Sequence, residues 1–461
     1  MNAPLVSSQG PHVPQITRKQ GWTVDDAYFA FWVFTLTGYA LFGKGFAYIG
    51  IPPLYIGEIL LLTGVVIVLR NGCFLAALAS VPSLFLLALM ALVLMHVFSD
   101  LQKYGIEAIR DSVIVMYGII ALTTAGILIA DPNRLELIIG YYRKFSTILV
   151  VMCPFMIIFS SFMYGSLPNW PNSGLPLIFV RTGELAVHLT GVAVFALMGF
   201  RSRGIAWTLL LLAGATIVFA QNRGGAVSFA IPTMIALLFA TDRKQLLMPI
   251  MVAALVGTLA VVGDFRIEAG GGRNIDAQQL VANVASIFDD SNTGNLSGTK
   301  EWRMSWWASI IQYTFHGDYF WSGKGFGMSL AEADGFVVGQ ELGGPILRSP
   351  HNAHMTILAR MGVPGLTLWA LLLLSWFAML ALSAIAAWRA GEVRWARFFL
   401  FIACYALSAI IDASFDVALE GPMIGIWFWA LIGVGLGASA IYRARRPGLS
   451  GLRLAARLSP L

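Results

Sequence analysis

Three short stretches hold residues able to do chemistry. In Ser349-Pro350-His351-Asn352-Ala353-His354, two histidines stand three apart beside a helix start signal. Serine followed by proline is a natural N-cap and first helical position, so the pattern predicts His351 in a first helical turn. The positive end of a helix dipole disfavours added charge, which keeps an imidazole there neutral and able to accept a proton. A general base needs that property. The plain alternative is a pair of polar histidines at a membrane interface. The second stretch, Gln221-Asn222-Arg223-Gly224-Gly225, joins two apolar runs. Each run reaches roughly 27 Å at about 1.5 Å per residue, short of a hydrocarbon core about 30 Å thick. Its turn is then recessed, and Arg223 either faces a wet cavity or snorkels to the headgroups.

The third stretch is Glu301-Trp302-Arg303-Met304-Ser305-Trp306-Trp307. Trp302, Trp306, Ile310 and Tyr313 recur at helical spacing and make one packing face, while Arg303 and Trp307 share a neighbouring one. Arginine offers a planar fork that fits phosphate oxygens bidentately, and tryptophan offers a broad face for sugar or lipid. Weaker signals surround these. Gly323-Lys324-Gly325-Phe326-Gly327 has the composition of a phosphate-cradling turn without the strand-turn-helix context of a nucleotide fold. Glu184 with His188, and Asp412 with Asp416, stand four apart on expected helices and either line a cavity or pair structurally.

The elements that must position these residues are membrane helices. Of 461 residues, 58% are hydrophobic and 12% charged, against about 25% charged in an ordinary soluble domain. Apolar runs predict about a dozen helices, near 28–42, 54–69, 74–98, 112–130, 146–164, 182–200, 204–221, 224–241, 246–262, 362–388, 397–413 and 421–441. The net charge of +6 is spread through short segments between those runs, the pattern that orients helices, so nucleic acid is not an expected partner. Basic residues of alternate short segments put both termini in the cytoplasm and the 264–352 stretch outside. The expected divisions are a leader over 1–25, nine helices over 26–263, a large loop over 264–352, three helices over 353–441 and a basic tail over 442–461. Cys73, Cys153 and Cys404 have no paired spacing and read as core filler.

Taken together, Arg223, the stretch Ser297-Gly298-Thr299 through Arg303 and Trp307, the Gly-rich turn, and His351-Asn352 followed by Gly362 and Gly365 resemble the O-antigen ligase and polymerase family. The resemblance implies an all-α, GT-C-like membrane bundle in the bacterial inner membrane with its site on the periplasmic loop. It implies a metal-independent, inverting glycosyltransferase without cofactor. The donor would be a glycan on undecaprenyl pyrophosphate, and the acceptor a glycan, a lipid A core or a protein hydroxyl. Catalysis would fall to His351, Arg223 and Arg303, with Asn352, His354, Trp307, Gly323 and Gly325 contacting substrate. A flippase for the same lipid-linked sugars, or a non-catalytic assembly subunit, is the competing reading. A flippase would place its binding residues near the bilayer midplane on broken helices.

Overall fold

The computed structural model describes residues 22–171, 173–202, 204–240, 266–269, 273–276, 295–337 and 348–444. It is mostly helical. The principal helices are α1 (Val24–Phe42), α2 (Ile56–Asn71), α3 (Val81–Tyr104), α4 (Ile106–Met116), α5 (Gly118–Ala130) and α6 (Arg134–Ile157). There follow α7 (Thr182–Leu197), α8 (Ile205–Gln221), α9 (Arg223–Leu238), α10 (Asn295–Phe315), α11 (Ala353–Arg389), α12 (Val393–Ala413) and α13 (Pro422–Ala444). Two antiparallel hairpins qualify the all-α expectation: Gly50–Ile51 pairs with Leu54–Tyr55, and Arg266–Ala269 with Arg273–Asp276.

Among the described residues, five helices are long and apolar enough to cross a membrane, or six if α4 and α5, bent by 44° at Tyr117, make one span. α7, α8 and α9 are shorter apolar helices. The expected helix at 246–262, both termini and most of the 264–294 stretch lie outside the described residues.

Several expected helices are cut or extended where local chemistry overrides the apolar pattern. The run at 74–98 breaks at Ser80, whose hydroxyl accepts from Ser83 N and caps α3, with Pro82 in the first turn. α6 begins at Arg134 and carries Arg143 and Lys144 within it, although the sequence placed both in a connecting segment.

The largest difference is in α11, which starts at Ala353 and is broken at Gly362, where φ is +63°. A left-handed residue interrupts the hydrogen-bond ladder, and Pro364 supplies no N–H to the Arg360 carbonyl. The Gly-rich turn fills that gap. Lys324 N donates to the Ala359 carbonyl at 2.7 Å, Gly325 N to the Arg360 carbonyl at 3.0 Å, and Val363 N to the Phe320 carbonyl at 2.8 Å. The turn is then latched to α3 and α4: Phe326 N donates to Asp100 (2.7 Å) and Gly327 N to Asp111 (3.1 Å). Arg360, buried in α11, bridges the two sides through Asp111 at 2.8 Å and the Gly325 carbonyl at 3.1 Å. Gly323 and Gly325, expected to bind substrate, are therefore docking residues. A Cβ on Gly323 would stand 2.3 Å from the Arg360 carbonyl carbon, and Gly323 has φ +59°. Gly323→Ala should destabilise the protein by at least about 1–2 kcal/mol, the left-handed penalty alone. A melting curve of the detergent-purified variant unchanged from wild type would refute this account of the turn.

α10 packs as its tryptophan face predicts. Trp306 and Ile310 are fully buried against Leu330, Ala331, Leu358 and Ala359, and Trp306 Nε1 donates to Asp334 at 2.6 Å. Lys324 pairs with the same carboxylate.

Candidate active site

Five chain segments meet at one end of the bundle: the starts of α7 and α9, the middle of α10, the turn before α11, and the end of α12 with the residues after it. α7, α9 and α12 pack mutually. Three helix N-termini, those of α7, α9 and α11, thus lie at this end, a setting that favours negative charge.

His351 is not in a helical turn. Asn352 is the N-cap of α11, its Oδ1 accepting from His354 N (2.9 Å) and Met355 N (3.2 Å). Asparagine caps as well as serine does and stands nearer the apolar run, so Ser349 is displaced as the cap. His351 precedes the cap with φ +52°, a conformation rare for a residue with a side chain. That turn points its Nδ1 at Asp416 Oδ1, 3.3 Å away. A carboxylate accepts, so Nδ1 carries the proton and Nε2 keeps a lone pair. The helix-dipole argument for a neutral imidazole is replaced by a carboxylate that fixes the tautomer. Trp307 Nε1 donates to the Pro350 carbonyl at 2.9 Å, pinning the residue before His351.

His354 is committed elsewhere. The Trp369 indole, a donor only, points at its Nδ1 at 2.9 Å, so Nε2 bears the proton and faces Ser414 Oγ at 3.1 Å. Asn352 is buried and occupied as a cap. Both residues, expected to contact substrate, hold the start of α11 in this structure.

Asp416 is the hub. Burial opposes its charge. The hydrogen bond from His351, the nearby Arg181 and the Val417 amide together hold its carboxyl below the usual carboxylate range. Val417 N lies 2.8 Å from Oδ1 and Arg181 Nη1 3.7 Å from it. Next in the chain, the Phe415 carbonyl accepts from Arg303 Nη1 at 3.0 Å. Burial makes the Arg303 charge costly, Asp416 supports it, and Arg223 adds repulsion. Two guanidinium groups 80 positions apart in sequence are thus electrostatic neighbours, one of them also near the Asp416 carboxylate, an arrangement suited to a multiply charged anion. Arg223 itself opens α9, where Asn222 Oδ1 accepts from Gly225 N at 2.9 Å.

The weaker carboxylate pairs divide between this site and the interior. Asp412 and Glu184 are buried beneath it, Glu184 Oε2 facing Arg181 N at 3.4 Å. His188 lies deeper, its Nδ1 2.7 Å from the Tyr405 hydroxyl. Among the described residues, no group of three or more His, Cys, Asp or Glu side chains is placed to hold a metal ion. Sequence reasoning missed Arg181, which presented only a lone arginine before an apolar run, and saw Asp416 only as a partner of Asp412.

Residues 207–370 match the family model described as O-antigen ligase. That span contains Arg223, Arg303 and His351 and leaves Arg181 and Asp416 outside it. No curated protein matches the chain.

Proposed function

We propose that this chain, which is similar over residues 207–370 to the O-antigen ligase family, transfers a glycan from a polyprenyl pyrophosphate to an acceptor hydroxyl. The observation that carries the reading is His351 held on Asp416 beside Arg303, with Arg223 within electrostatic reach. Arg223 and Arg303 bind the pyrophosphate. Nε2 of His351 takes the acceptor hydroxyl proton as that oxygen attacks the anomeric carbon. The bond from that carbon to the pyrophosphate oxygen breaks, and the leaving group departs with the electron pair and inverts the centre. Pyrophosphate is already a good leaving group, so positioning and charge neutralisation supply most of what the reaction needs.

The test is to give purified protein an undecaprenyl-pyrophosphate oligosaccharide and a glycan acceptor, then follow lengthened glycan and released lipid pyrophosphate. Absence of both products across a panel of phosphorylated and neutral acceptors would refute the reading. The rival flippase reading predicts sites at the bilayer midplane, whereas these residues gather at helix ends. We further place this end of the bundle in the periplasm and the termini in the cytoplasm, from the basic residues of the short segments. A periplasm-active reporter inserted ahead of Asn295 should be active. Activity only from a cytoplasmic reporter there would overturn the orientation.

A further inference from the structure

We propose that Arg181 is a positioning residue that sets the basicity of His351 through the carboxylate they share. Both side chains address the same oxygen of Asp416, His351 Nδ1 at 3.3 Å and Arg181 Nη1 at 3.7 Å, with Val417 N at 2.8 Å as its third donor. Arg181 is the N-cap of α7 and is held from behind, because its own amide faces Glu184 Oε2. The adjoining strand-like segment is tied to the end of α1, where Lys44 N donates to the Phe179 carbonyl at 2.9 Å. The guanidinium therefore reaches Asp416 from a fixed frame on α7, while His351 reaches it from the turn before α11.

A carboxylate facing imidazole alone would lend it a full negative charge and favour the imidazolium. One facing imidazole and guanidinium together lends it less. Arg181 thereby takes up part of the charge that Asp416 turns toward His351, while Asp416 still holds the tautomer. The other charges near this group are Arg303 from α10, Glu184 from α7 and Asp412 from α12, with Arg223 of α9 beyond Arg303 and Lys44 beyond Arg181. Arg181 differs from these in contacting the oxygen that His351 uses. Its side chain is 40% exposed, so screening limits its effect to about half to one pH unit.

This inference rests on the reading of His351 as the base, and its test separates the two. In detergent-purified protein labelled with 13C-histidine, the His351 resonance is assigned by its loss in His351→Gln, and its titration is followed in wild type, Arg181→Gln and Arg181→Lys. Arg181→Gln should raise the midpoint by about half to one pH unit, and Arg181→Lys should restore most of it. The acid limb of kcat/KM for transfer from an undecaprenyl-pyrophosphate oligosaccharide should move the same way, with the KM for that donor nearly unchanged. A midpoint unmoved in a folded Arg181→Gln protein overturns the inference, as does a loss of kcat at every pH without a moved limb. Arg181→Leu, of similar bulk, replaces the glutamine variant if that protein fails to fold. Transfer by wild type with an unmoved midpoint sinks the tuning alone. A moved midpoint without transfer under any condition sinks the proposed reaction and leaves the electrostatic coupling standing.

Discussion

Alanine at His351 is expected to lower glycan transfer by about a hundred- to ten-thousandfold, the usual contribution of a general base, with the melting temperature and donor binding close to wild type. The side chain is part-exposed and lies outside any helix, so truncation removes one contact, to Asp416, and opens no core cavity. His354 gives the contrast. It is wedged between Trp369 and Ser414, so alanine there should act through stability, lowering the melting temperature and costing turnover less at a temperature where the protein is folded. Measured side by side, the two variants separate chemistry from architecture. A His351→Ala protein that transfers glycan at the wild-type rate would take the histidine out of the mechanism and leave the arginines to work by electrostatics alone.

Lysine at Arg303 or Arg223 is expected to reduce transfer by about ten- to a hundredfold although the charge is kept, because a point ammonium cannot make two parallel hydrogen bonds to phosphate oxygens. Arg303 should be the more sensitive, since it also donates to the Phe415 carbonyl next to Asp416, and lysine has no second N–H in a fixed plane to hold both partners. Loss at Arg223 should fall on donor binding, whereas loss at Arg303 should fall on donor binding and turnover together. The measurement is the KM for the lipid-linked donor and kcat for each variant. Normal values in both lysine proteins would sink the clamp.

Much of the helical plan was readable because long apolar runs leave few other solutions in a bilayer. The interruptions were not. Ser80 and Tyr117 each break a run through a local hydrogen bond or a single dihedral, which apolar averaging does not register, whereas the break at Gly362 falls where the expected 362–388 helix begins. The sequence placed His351 in a first helical turn, and the structure does not. Ser349 looked like the cap, while Asn352, three residues closer to the apolar run, took that place and left the histidine in a strained turn. The glycines at 323 and 325 signalled a close backbone approach, but glycine spacing alone does not say whether phosphate or another stretch of chain approaches. Arg181 and Asp416 lie 235 positions apart, and nothing local to either foretells their meeting.

The seam at Gly362 bears on how the molecule is made. The Gly-Lys-Gly-Phe-Gly turn leaves the ribosome before the helix that receives it, so it waits for its socket. Until it seats, the Ala359 and Arg360 carbonyls lack the partners that the broken helix cannot supply by itself. Seating therefore requires α11 to be present, whereas the turn on which His351 rides is pinned separately by Trp307 of α10. The proposed site draws on Asp416 and Phe415 as well, which follow α12, so its parts meet only when α10, α11 and α12 are all in place.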